Sequence, residues 1–162
     1  MDLLERMLGH DYWATGLVLN HAQALTPEQL QQEFDIGLGS VQLTLTHQVN
    51  VIHFWSEAML GRLIRQDKRE RKPIPDLIRL HDRYPPIFGA IALLMQADSR
   101  LDEQFTDVHG NQQSMGGTIL QLMGHNTQHR SEVRHMLVRL GVRDVWDGDP
   151  QEWEHDIRKQ FA

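Results

Sequence analysis

Cysteine is absent from the 162 residues. Disulfides and thiolate ligands are therefore excluded, and any metal must be held by nitrogen or oxygen. No nucleophilic sulfur can come from this polypeptide. Basic charge is also short: 16 Lys and Arg face 22 Asp and Glu, giving a formal charge of −6 with the ten histidines neutral. That balance disfavours general binding to nucleic acid, whose affinity comes largely from Lys and Arg on phosphates. Long apolar runs are missing, since the longest, residues 87–95, falls far short of the roughly 18 residues of a membrane span. The opening MDLLERMLGHDYW carries acids where a signal peptide needs a basic region and an apolar core, so a cytoplasmic location is expected. Strand signals are poor as well, because β-branched and aromatic residues rarely alternate with polar ones.

What is present reads as soluble and globular, with 40% hydrophobic and 23% charged residues. At this length one compact domain, residues 1–162, buries about 70% of the unfolded chain's surface. Residues 2–24 have the stripes of a first helix. TPEQ then offers Thr26 as N-cap, Pro27 in the first turn and Gln29 three residues after the cap. GLGS breaks the pattern, and Ser40 can cap a second long helix over residues 41–60. Residues 61–75, GRLIRQDKRERKPIP, form a loop with six basic and two acidic residues. Such a run is a solvated connector, or alternatively a guide for anionic substrates. A third helical region covers residues 76–104, with a kink or restart expected at Pro85 and Pro86. TDVHGNQQSMGG reads as a loop. A fourth helix runs from near Met115 to Gly141. In the tail Asp149 can cap, Pro150 suits the first turn, and Trp153, Ile157 and Phe161 make one apolar stripe. The expected fold is all-α: a four-helix bundle with a short C-terminal helix.

The chemistry lies in the histidines. On the fourth helix Leu122, His125, His129, Met136 and Leu140 share a face, and on the second so do Leu43, His47, Val51, Phe54 and Ala58. Three imidazoles on two facing helices can converge. Each would cost about 1–3 kcal/mol if buried without a partner, and one divalent cation satisfies all three nitrogens at once. Asn50, Gln128 and Glu132 stand near enough to accept from the other ring nitrogens. His10 lies on an apolar stripe of the first helix beside Trp13, a position from which the two can line the pocket. His21, His53, His81, His109, His135 and His155 read as surface or offset residues. The plain alternative is that an i, i+4 pair arises by chance in a His-rich chain and serves as core. The glutamate of a zinc-protease HExxH motif is missing.

HDYWATGLVLNHAQALTPEQL, GSVQLTLTHQVNVIHFWSEAMLG and GTILQLMGHNTQHRSEVRHMLVRLG resemble, in order, three blocks of the DinB/YfiT-like family of metal-binding four-helix bundles. The likeness is weakest over residues 62–112 and in the tail. It places the family's metal triad on His47, His125 and His129, the three that spacing also selects. It implies nickel or zinc, a homodimer, and for some relatives a low-molecular-weight thiol as co-substrate. Two departures stand out: Ser131 and Glu132 replace a common Gly-Gln, and Gln128 replaces the penultimate His. They leave the triad whole but put pocket polarity and substrate in doubt. The expected function is a metal-dependent enzyme, a thiol transferase or hydrolase acting on a small molecule. The alternative is a non-catalytic metal-binding or stress-response module.

Overall fold

The computed structural model describes residues 1–62, 64, 70–146 and 148–160. These form six helices and a two-stranded hairpin. Asp2 and Glu5 close a capping box at the start of α1 (Leu3–Gln23), and Thr26 with Gln29 does the same for α2 (Pro27–Gln31). The Ser40 hydroxyl accepts from the Leu43 amide at 3.2 Å and starts α3 (Val41–Met59). Then come α4 (Ile74–Ala97), β1 (Gln104–Thr106), β2 (Gln112–Ser114), α5 (Met115–Arg139) and α6 (Pro150–Gln160). Gly141, at φ +80°, ends the fourth long helix in the left-handed turn expected of it. No described helix is long and apolar enough to cross a membrane.

α1 and α3 each pack against both α4 and α5, which closes a four-helix bundle. Its core is divided. One apolar cluster gathers Leu19, Leu45, Leu77 and Met136, and the other gathers Ile52, Phe88, Ile119 and Leu122. Between them all four long helices contribute buried or half-buried polar residues: Asp11 and Thr15, His47 and Gln48, His81, and His125, Asn126, His129 and Arg130. The bundle therefore has a polar waist. Buried polar groups are tolerated only when they are paired, so this waist is where chemistry is expected.

Two expectations about the middle of the chain are corrected. The third long helix spans Ile74–Ala97 rather than residues 76–104, and it runs through Pro85 and Pro86 without a break. An interior proline costs about 3 kcal/mol. Burial of Tyr84 and Phe88 on either side, each worth about 1.5–3 kcal/mol, is of the same order and keeps the segment on the bundle. The loop after it contains the antiparallel β1–β2 hairpin, with Phe105 opposite Gln113. The strands are only three residues each and Phe105 is their one large apolar residue, so no alternation marked them. Their turn is tied by Asp107, whose carboxylate accepts from the amides of His109 at 2.8 Å and Asn111 at 2.9 Å. These bonds, that of Asn111 foremost, hold its pKa down at about 2.

Asp149 caps α6 through the Gln151 amide at 2.6 Å. Trp153 is buried against α1, where a Cβ on Gly9 would stand 2.7 Å from its ring. The tail stripe thus packs internally at Trp153, while Phe161 lies outside the described residues. Most of the basic segment, residues 63 and 65–69, lies outside them too.

Candidate metal centre

α3 and α5 are neighbours, and the helical faces that spacing assigned turn toward each other. Nε2 of His47 lies 3.0 Å from Nε2 of His125. Ring centroids are 5.0 Å apart for His47–His129 and 4.4 Å for His125–His129, with both pairs close to perpendicular. One ligand atom from each of the three lies within 4.8 Å of the other two. A tetrahedral zinc with bonds of about 2.0–2.1 Å needs nitrogens about 3.3 Å apart. The cluster is near that spacing, and three imidazoles are a donor set that could hold a divalent transition-metal cation.

The outer ring nitrogens explain why the inner ones are available. Nδ1 of His129 donates to Oε2 of Glu132 at 2.6 Å, and the His129 side chain is 11% exposed. Glu132 is fixed in turn by Gln128, which donates to Oε1 at 3.0 Å. The backbone of Gly37 presses on the same carboxylate: at φ +58°, a Cβ there would stand 2.5 Å from Oε2. Glu132 is therefore the acceptor that this imidazole needs, and the second ring nitrogen of His129 keeps its lone pair.

His125 is oriented from the other side. Its Nδ1 faces Oδ1 of Asn126 at 3.4 Å, while Nδ2 of Asn126 donates to Oδ2 of Asp11 at 2.7 Å. Asp11 forms a buried ion pair with Arg130, which also donates to Thr15 at 3.2 Å and Thr127 at 3.1 Å. The carboxylate fixes which way the Asn126 amide points, and the amide carbonyl favours a proton on Nδ1 of His125. Burial pushes the His125 imidazole below its usual range, and neighbouring His129 pushes it the same way. A neutral imidazole with its proton on Nδ1 is the form that ligates a metal through Nε2.

The other residues singled out from sequence fall as follows. Asn50 donates to Oε2 of Glu70 at 3.0 Å and is 9% exposed, one turn after His47. His10 donates from Nε2 to the Gly148 carbonyl at 2.7 Å and lines a separate cavity of about 520 Å³ between α1, α5 and the tail. Trp13 meets Trp146 at a tilt of 57°, with ring centroids 5.3 Å apart. His81, read as a surface residue, is 3% exposed: its ring stacks on Tyr12 at 4.7 Å and Nε2 donates to the Tyr12 carbonyl at 3.0 Å. An amphipathic pattern that includes His81 at the polar waist could have revealed this, because its neighbours Leu77 and Tyr84 are core.

Sequence reasoning did not find the Asp11–Asn126–Arg130 network, whose members lie 115 to 119 positions apart. The i, i+4 spacings Asp11/Thr15 and Asn126/Arg130 were the available signal. It also did not find the cavity that opens on the centre. That space, about 710 Å³, has His47 and His125 on its floor, Phe54 and Trp55 along α3, and the hairpin residues Val108 and His109 at its rim.

A helical bundle with a three-histidine cluster at its waist defines a class: an all-α protein able to hold a divalent cation between two helices. The profile of the DinB family matches residues 1–158, and the chain belongs to that family. No curated protein matches it.

Proposed function

We propose that the protein is a metal-dependent enzyme in which His47, His125 and His129 hold zinc or nickel and a small molecule is processed in the adjoining cavity. The observation that carries the reading is the convergence of the three ligand atoms within 4.8 Å beside an open space of about 710 Å³. When bound, a cation held by three neutral imidazoles keeps its full double charge and draws a thiol or water toward ionisation near neutral pH. The chain's own part is to present lone pairs and exclude competing protons. Glu132 takes the proton side of His129, Asn126 takes that of His125, and the buried Asp11–Arg130 pair keeps Asn126 in place. Since the chain has no cysteine, any thiol must arrive from outside, as a low-molecular-weight co-substrate.

The cavity favours catalysis over sequestration, because a storage site has no need of space beside its ligands. A single domain over residues 1–162 and a homodimer complete the proposal, in keeping with the family match, and a cytoplasmic location is proposed with them. The test is to load untagged protein with zinc or nickel, measure bound metal, and screen thiol consumption and hydrolysis against electrophile and ester panels. Metal bound without turnover in either screen would remove the enzyme and leave the metal-binding module. Light scattering tests the dimer.

A further inference from the structure

The cavity's walls are chemically one-sided. Phe54 and Trp55 meet edge to face, with ring centroids 4.9 Å apart at 76°, and Phe105 of the hairpin backs Trp55 at 6.2 Å and 80°. Val51 and Val108 extend the apolar wall. The polar lining consists of amides and imidazoles, Gln113, Gln121 and His109 besides the two histidines of the floor. Among the described residues that line it, Asp107 is the one carrying a formal charge. Its four hydrogen bonds, from the His109 and Asn111 amides and the side chains of Asn111 and Gln113, are all spent inside the hairpin. No described lining residue is Lys or Arg.

A cationic substituent on a ligand would be repelled by the bound cation and an anionic one drawn to it, so charge does not single out the ligand. An apolar or aromatic body would cover the Phe54–Trp55 face, with ring-on-ring contact adding to the area it buries. The volume is that of an ordinary small-molecule site.

We infer that this cavity takes a ligand with a flat, aromatic or apolar body, lying on Phe54 and Trp55 with its donor atom turned to the cation site at His47 and His125. The inference rests on the metal reading above. It narrows the substrate class to ring-bearing molecules.

The test uses the cobalt(II)-loaded full chain, with visible absorption following the cation and bound metal measured separately. Benzohydroxamate and acetohydroxamate, which share the same metal-binding group, are titrated in turn. Benzohydroxamate should bind about tenfold more tightly than acetohydroxamate. Trp55→Ala should bring the ratio to within about threefold while cobalt content stays the same. Should Trp55→Ala fail to fold, Val108→Glu on the rim serves instead, and it should weaken benzohydroxamate more than acetohydroxamate. Equal binding of the two on loaded wild type overturns the inference, as does an unchanged ratio in the folded variant. In each of those cases the metal reading survives. Failure of the wild type to take up any cation removes both.

Discussion

Glu132 and His129, one helical turn apart on α5, form a 2.6 Å hydrogen bond from Nδ1 to Oε2, with the carboxylate clamped between Gln128 and the backbone of Gly37. An imidazole that donates to a carboxylate is a stronger base and is held in a single tautomer and orientation. Glu132→Gln is expected to weaken zinc binding about 10–100-fold, as loss of such partners does at other metal sites. Competition with a chromophoric chelator measures it. Unchanged affinity would show that the carboxylate is only a helix-surface pair.

His125→Ala separates ligand from core residue. If the three imidazoles hold a cation, the variant loses most of its bound metal while remaining folded, as seen by elemental analysis beside circular dichroism. A variant that keeps its metal but unfolds earlier would reduce His125 to a packing residue.

The Asp11–Arg130 pair is buried, with side chains 8% and 10% exposed. Removing one partner strands the other charge, so Asp11→Ala is expected to cost about 3–5 kcal/mol in denaturant unfolding of the metal-free protein. Asp11→Ala combined with Arg130→Leu should recover part of that loss, because no buried charge then remains. A double variant as unstable as the sum of the singles would argue against the pairing.

His81 gives the stability a pH dependence. Burial lowers its pKa from 6.5, opposed by the Tyr12 carbonyl and the charges of Asp11 and Asp82. Nδ1 has no hydrogen-bond partner, so a proton added there would be buried and unsatisfied. The unfolded chain then binds a proton that the folded one refuses. Stability is full above about pH 6.5 and falls as pH drops toward the lower folded value, by at most about 1.4 kcal/mol per unit for one group. His81→Phe should flatten this slope in metal-free protein. Thermal unfolding at a series of pH values between 5 and 8 would read it, and an unchanged slope would assign the effect elsewhere.

The bundle was legible because its signals are local. Thr26, Ser40, Asp149 and Gly141 stop and start helices through hydrogen bonds made within a turn, and each does so as its sequence context suggests. The triad was legible for a related reason: His125 and His129 declare a common face by spacing, and His47 sits at the matching place on the neighbouring helix. What brings Asp11 to Arg130, or Phe105 to Trp55, is the way helices are stacked, and no period in the chain records it. The helix restart expected at Pro85 and Pro86 is absent for the opposite reason. Their local preference is clear, and burial of the aromatic residues around them overrides it.

The hairpin at the rim of the cavity is secured by Asp107 within its own turn, meets α3 through the Phe105–Trp55 ring contact, and runs from β2 straight into α5. Its tip, His109 and Gly110, is therefore free to be lengthened, shortened or rewritten without disturbing the histidines beneath. If the centre holds a cation as proposed, selectivity and cation retention would be separately adjustable, and chimeras that trade residues 108–110 while keeping Asp107 and Asn111 would show it.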